Sequence, residues 1–215
     1  AKYYEDSVSS ASIDVQTTAS RYSEKRTEYG VGLDTLQDKT TYSFNYTTSA
    51  ENDYDAQSAH LDISHDFFGD LTTGSLGFSQ GWDTVGKNFD DNWVDRDIDR
   101  RNYRASLNQV ISRNAIINLA FESIIDEGSD NRALGNPYRS VRIYDTNSGL
   151  LSFDHEQYPM TRNSDAWSVK LRYSLEDKSV AFSEFRQFTD SWGIDAWNLQ
   201  GGYIYPLAPE WLLEG

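Results

Sequence analysis

Apolar and polar residues alternate one for one along most of this chain. Tyr29, Val31, Leu33 and Thr35 share one parity; Glu28, Gly30, Gly32 and Asp34 share the other. After Gln37-Asp38-Lys39 the rhythm resumes, with Tyr42, Phe44 and Tyr46 set against Thr41, Ser43 and Asn45. A period of two marks a strand whose faces meet different surroundings. With Asp38-Lys39 as a two-residue turn, Thr35 faces Tyr42, Leu33 faces Phe44 and Val31 faces Tyr46. A one-residue slip would move Asp34 onto the apolar face, so the pattern specifies this register strongly.

The same reading predicts three further hairpins. Ala59, Leu61 and Ile63 alternate with His60, Asp62 and Ser64, and pass through Phe67-Phe68-Gly69-Asp70 to Leu76, Phe78 and Trp82. Tyr103, Ala105, Leu107 and Ile111 lead through Ser112-Arg113-Asn114 to Ile117, Leu119, Phe121 and Ile125. Trp167, Val169, Leu171 and Tyr173 approach Glu176-Asp177-Lys178; centring that turn on Asp177 sets Lys170 opposite Glu184 and Val169 opposite Phe185. In this register Val180 and Phe182 fall on the polar face. A ninth strand carries Trp197, Leu199, Tyr203 and Tyr205, and Pro206-Leu207-Ala208-Pro209 leads to a tenth that begins near Trp211.

The connectors predict the architecture. Short ones alternate with longer ones at Ala50–Gln57, Asp83–Asp99 and Glu127–Asn163. Short turns on one side and long loops on the other are the rhythm of a transmembrane β-barrel. The expected fold class is all-β, an antiparallel up-and-down transmembrane barrel of which nine to ten strands are present. Tyr29, Tyr46, Trp82, Tyr103, Tyr173 and Tyr205 fall near strand ends, where interfacial girdles belong. The competing architecture for half-polar strands is a soluble β-sandwich or lectin-like fold.

Composition alone points elsewhere. Of 215 residues only 38% are hydrophobic, and no run approaches the roughly 18 apolar residues of a membrane helix. Barrels escape that test because lumen and lipid positions alternate. The net charge of -15 argues against a nucleic-acid partner. Cysteine is absent, which excludes disulfides and thiol chemistry. Much of the acid lies in the longer links, where hard carboxylates suit calcium, but no EF-hand spacing is present.

Candidate function therefore rests on the polar parity. Its expected lumen residues are Glu28, Asp34, Asn45, Asp62, Arg104, Asn108, Glu122, Lys170, Arg172 and Glu184. Glu122 is expected to pair with Arg104, and Glu184 with Lys170 or Arg186, as a charge ladder of the kind that tunes ion selectivity. His60, Asp62 and Ser64 supply the residue types of a hydrolase, but i, i+2 spacing holds the side chains apart. No catalytic, cofactor or metal residue is assigned. The link 127–163 is expected to be a long extracellular loop with a small β-ribbon around Ile143, and Arg139, Arg142 and Trp93 are candidate loop contacts.

Several longer motifs carry a resemblance. They include Tyr3-Tyr4-Glu5-Asp6 and its continuation to Val15, Glu24-Lys25-Arg26-Thr27-Glu28-Tyr29, and Asp66-Phe67-Phe68-Gly69-Asp70. Asp99-Arg100-Arg101-Asn102-Tyr103-Arg104 and Asn136-Pro137-Tyr138-Arg139 belong to the same set. Together they resemble an uncharacterised family of Gram-negative outer-membrane proteins, domain-of-unknown-function family 3570. The resemblance implies a barrel of about twelve strands or more, with a signal peptide and a first hairpin ahead of the Tyr3-Tyr4 region. It also implies genomic company with a small lipoprotein and a flavin-transferase-like protein. It supplies no catalytic residues.

The expectation is thus one barrel domain, 1–215, cut at both ends, with 1–25 an extracellular loop or partial strand. It would lie in the cell outer membrane as a non-enzymatic, porin-like channel or scaffold. Its partners would be outer-membrane lipid and an envelope lipoprotein or other protein. The alternatives are an envelope redox or assembly scaffold holding a cofactor-bearing partner, and a barrel enzyme acting on envelope lipids or glycans.

Overall fold

A computed structural model describes residues 2–8, 24–87, 92, 94–128, 134, 140–146, 149–155, 158–208 and 211–215. Eleven strands form one antiparallel sheet in which every strand pairs with its neighbour in the order β1-β2-β3-β4-β5-β6-β7-β10-β11-β12-β13. They are β1 (Lys2–Val8), β2 (Glu24–Gln37), β3 (Thr40–Ala50), β4 (Tyr54–Phe67), β5 (Thr72–Val85) and β6 (Arg96–Val110). β7 (Ala115–Gly128), β10 (Thr161–Ser174), β11 (Val180–Asp190), β12 (Asp195–Ala208) and β13 (Trp211–Glu214) follow. A separate two-stranded ribbon, β8 (Ser140–Tyr144) and β9 (Leu151–His155), lies within the longest link and contains Ile143.

The sheet is up-and-down throughout, and it does not close: β1 and β13 stand at its two ends. It holds one strand more than the expected nine or ten. The addition is β1, whose seven residues pair from Lys2 opposite Gly30 to Val8 opposite Glu24.

The registers follow the hydrophobic pattern. Thr35 faces Tyr42, Leu33 faces Phe44 and Val31 faces Tyr46 across the first hairpin. Lys170 faces Glu184 and Val169 faces Phe185 across the fourth, so Phe182 does lie on the polar face, opposite Arg172. One link differs from expectation. The connection after β3 shrinks to 51–53, because Tyr54 and Asp55 extend the ladder to Val85 and Thr84. The other links at that end are 9–23, 86–95, 129–160 and 191–194, against 38–39, 68–71, 111–114, 175–179 and 209–210 at the opposite end.

There is almost no conventional core. Among the described residues the only buried hydrophobics are Val85, Ile98, Leu134 and Ala166. The bulky apolar residues stand open instead: Leu33 at 66%, Leu61 at 55%, Leu76 at 67% and Leu199 at 68% exposure. Small polar residues on the other face are covered, among them Ser49, Ser79 and Ser164. On the polar face longer neighbours cover the short side chains, while the bulky apolar side chains of the other face stand open.

The strand ends also drift along the ladder. The row that closes the first short turn, Gln37 with Thr40, runs through His65, Gly74, Leu107, Leu119, Val169 and Phe185 to Leu199. Leu199 is only the fifth residue of β12, which continues nine residues further to Ala208. Over eight strand steps this is about one residue per strand, the stagger that tilted strands require before a sheet can curl into a cylinder.

Candidate functional site

All ten residues expected in a lumen lie on the polar face of the sheet, as their ladder partners require. One row runs Asp34, Ser43, Asp62, Gly77, Arg104, Glu122. A second runs Asn108, Asn118, Lys170, Glu184. Asn45 lies opposite Gly32, Glu28 opposite Ser49, and Arg172 opposite Phe182.

Arg104 corrects one expected pair. It lies directly opposite Glu122. Its guanidinium turns the other way, however, and Nη2 reaches Asp62 Oδ1 at 2.9 Å. The two residues sit on β6 and β4, with β5 between them. Gly77 makes the crossing possible: a Cβ there would stand 2.3 Å from Asp62 Oδ1 and 3.0 Å from Arg104 Nε. Glu122 instead accepts a hydrogen bond from Asn102 Nδ2 at 2.8 Å and faces Arg186 Nη2 at 3.7 Å. Glu184 takes Lys170 Nζ at 2.7 Å, one of the two partners expected for it. Asn118 donates to Asn108 at 2.9 Å, and Glu28 holds Lys2 and Arg26.

Phe182 gives the polar face an aromatic contact. Its ring lies over Gly202 of β12, where a Cβ would meet Cζ at 2.4 Å, and Lys170 Nζ stands 5.7 Å from the ring centroid. An aromatic ring covering a glycine in the next strand stabilises both.

Two clefts lie on this face. The first, about 350 Å³, is bounded by Asp62, Arg104, Glu122, Glu184 and Arg186 over a floor of small residues such as Gly77, Ser106 and Ala166. The second, about 530 Å³, lies toward the long links between Arg26, Glu51, Tyr54, Asp83, Arg100 and Asp126. There Arg100 donates to Asp83 at 2.8 Å and to the Tyr54 hydroxyl at 2.9 Å.

The residue types of a hydrolase do not assemble. His60 Nε2 contacts Ser58 Oγ at 3.1 Å, Asp62 takes Arg104, and Ser64 accepts from Ser75 at 3.1 Å. Each has its own partner, and no contact joins the three side chains to one another. Among the described residues no three His, Cys, Asp or Glu side chains converge in a way that would hold a metal ion.

At the long-link end the polar trough meets an apolar stopper that sequence reasoning missed. Val85 and Ile98, at the ends of β5 and β6, pack with Leu134 from the longest link, against Tyr54, Tyr158 and Trp192. Leu134 donates its backbone N–H to Pro159, and Tyr158 stacks on Trp192 at 5.3 Å. Arg162 Cζ stands 4.8 Å from the Trp192 ring centroid, and its guanidinium binds Asp190 at 2.6 Å. The available signal was parity: Val85 and Ile98 are apolar residues on the polar face of their strands. Trp93 and Arg139 lie outside the described residues. Arg142 falls within β8, and its side chain is likewise outside them.

A family model described as a protein of unknown function, DUF3570, matches residues 85–214. No curated protein and no solved structure matches the chain.

Proposed function

The chain belongs to the DUF3570 family, whose match spans more than half its length, and we propose that it forms a transmembrane β-barrel of a Gram-negative outer membrane. In this reading it is a non-enzymatic channel or scaffold whose charged face lines a water-filled lumen. The observation that carries the proposal is the inverted burial of the sheet. Leu33, Phe44, Leu61, Leu76, Phe121, Trp167 and Leu199 form one exposed apolar face across the strands. Water would penalise such a surface at about 25 cal/mol per Å², whereas lipid removes the penalty. Lipid also demands that every strand be paired, which an up-and-down sheet with progressive stagger satisfies once closed.

Envelope lipid is then the immediate partner, with the long links and the β8–β9 ribbon on the outside and the short turns facing the periplasm. The ribbon offers a surface for an envelope lipoprotein or another protein. The stopper built on Leu134 narrows the external mouth, so conductance should depend on the longest link. In planar bilayers the complete protein should give small stepwise currents, and deletion of 129–160 should enlarge them. A protein that inserts but never conducts, with or without that link, would discard the channel and leave the scaffold.

A further inference from the structure

Two buried oxygen atoms on the polar face have no hydrogen-bond donor among the described residues, Asn102 Oδ1 and Asp126 Oδ1. They belong to the neighbouring strands β6 and β7, and both residues line the second cleft, of about 530 Å³. The Asn102 amide is oriented by its other end, where Nδ2 donates to Glu122. Arg100 Nε stands 3.9 Å from Asp126 Oδ1, beyond hydrogen-bond reach. Folded chains rarely keep such acceptors, because the hydration that each has lost is not replaced.

The charges around the cleft do not supply the missing donor. Its lining carries Arg26, His60 and Arg100 against Glu51, Asp83 and Asp126. Arg26 is held by Glu28 and, at 3.7 Å, faces Glu51. Lys2 also goes to Glu28. Arg100 is held by Asp83, which takes the Tyr54 hydroxyl as well, and His60 Nε2 meets Ser58 Oγ. Arg162 lies directly opposite Asp126 but binds Asp190. Arg96 lies further out, opposite Val85, and is not part of the lining. Asp126 thus keeps an oxygen that none of these cations reaches. The same walls hold Ser49, Ser79 and Asp83, each less than a tenth exposed.

An amide oxygen and a carboxylate oxygen, both without donors, call for a cation that carries N–H groups. A metal ion fits poorly, since among the described residues no three His, Cys, Asp or Glu side chains converge. A primary ammonium fits: it has one positive charge, three N–H donors and no acceptor. We propose that the second cleft binds small organic cations through a primary ammonium group, which donates to Asn102 Oδ1 and Asp126 Oδ1. The bond to the carboxylate is charge-assisted. Both oxygens are closed to solvent, so binding includes a turn of the side chains over them. One face of the sheet builds the whole site, so it requires neither a conducting pore nor a lipid surrounding.

The test is titration calorimetry on the complete, detergent-solubilised protein with butylammonium. Butyltrimethylammonium carries the same charge without an N–H donor, butyrate reverses the sign, and magnesium chloride probes for a metal ion. Butylammonium should bind roughly tenfold tighter than butyltrimethylammonium and should weaken as salt is raised, while butyrate should give no heat. Among the described residues Asp126 accepts no hydrogen bond, so Asp126→Asn should fold, and it should lose roughly tenfold in affinity for butylammonium. Asp38→Asn removes the same charge from an exposed turn at the opposite end and should bind like the parent. Equal affinity for the two cations would mean bare charge attraction, and tighter binding of magnesium would assign the cleft to a metal ion. Either result overturns the proposal, as does an Asp126→Asn protein that binds like the parent, or an Asp38→Asn protein that loses as much. No heat with any probe would leave the two oxygens to bridging water and overturn it as well.

Discussion

Single residues show where the chain departs from the cheapest solution. Phe68, Gly69 and Asp70 all have left-handed backbone, at φ 52°, 68° and 68°. Glycine takes this region freely, while a residue with a Cβ is destabilised there by about 1–2 kcal/mol. Phe68 is also 80% exposed, so little packing offsets the strain. Phe68→Gly should therefore stabilise the protein by about 1 kcal/mol in denaturant titration. A loss of stability instead would mean that the ring rests on something at the membrane surface. Asp177 behaves differently. In the β10–β11 turn it accepts hydrogen bonds from the Ser179 hydroxyl and backbone N–H, and these hold its carboxyl below the usual carboxylate range. A depressed folded-state pKa stabilises above the unfolded-state value, near pH 4, and that contribution is lost as pH falls through the depressed one. The stability gap between the parent and Asp177→Asn should accordingly be open at pH 7 and narrow at pH 3. An equal gap at both would show that the charge plays no part.

At the scale of strands, the faces differ in what they tolerate. An arginine facing lipid at mid-membrane costs about 2–4 kcal/mol, and the same residue in a wet lumen costs little. Leu61→Arg should lower stability in lipid by that amount, while Asn45→Arg, in the neighbouring strand on the opposite face, should change it by less than about 1 kcal/mol. Equal effects would contradict the assignment of faces. The registers were legible because period-two patterning leaves one solution. Moving Leu33 off Phe44 puts Asp34 among apolar residues, and even the polar position of Phe182 followed from the turn at Asp177. Two things were not legible. The Asp62–Arg104 bridge spans a whole strand and depends on a glycine that offers no pattern of its own. Gly77→Val should force Asp62 and Arg104 apart. Because an exposed pair contributes only about 0–1 kcal/mol, the effect should appear in the chemical shifts of Arg104 more than in stability. Tyr54 and Asp55 resembled loop residues because an acidic run surrounds them, yet their backbones extend the ladder with β5.

For the whole molecule, the pattern conveyed an up-and-down sheet with unequal ends, and the structure adds the burial of each face and the stagger. Burial is inverted, with serines covered and leucines open. Strand ends shift by about one residue per strand, as a cylinder of tilted strands needs. The apolar stopper at the long-link end was readable only in part: parity marks Val85 and Ile98, but Leu134 lies in a polar link and meets them only through the fold. The central claim is that the apolar face meets lipid and the polar face meets water. Spin labels placed one at a time from Ala59 to Ser64 on β4, in the lipid-reconstituted protein, test it most directly. Oxygen accessibility should peak at Ala59, Leu61 and Ile63, and accessibility to a water-soluble nickel chelate should peak at His60, Asp62 and Ser64. Chelate access at Leu61 and Ile63 equal to that at Asp62, or no alternation at all, would contradict it.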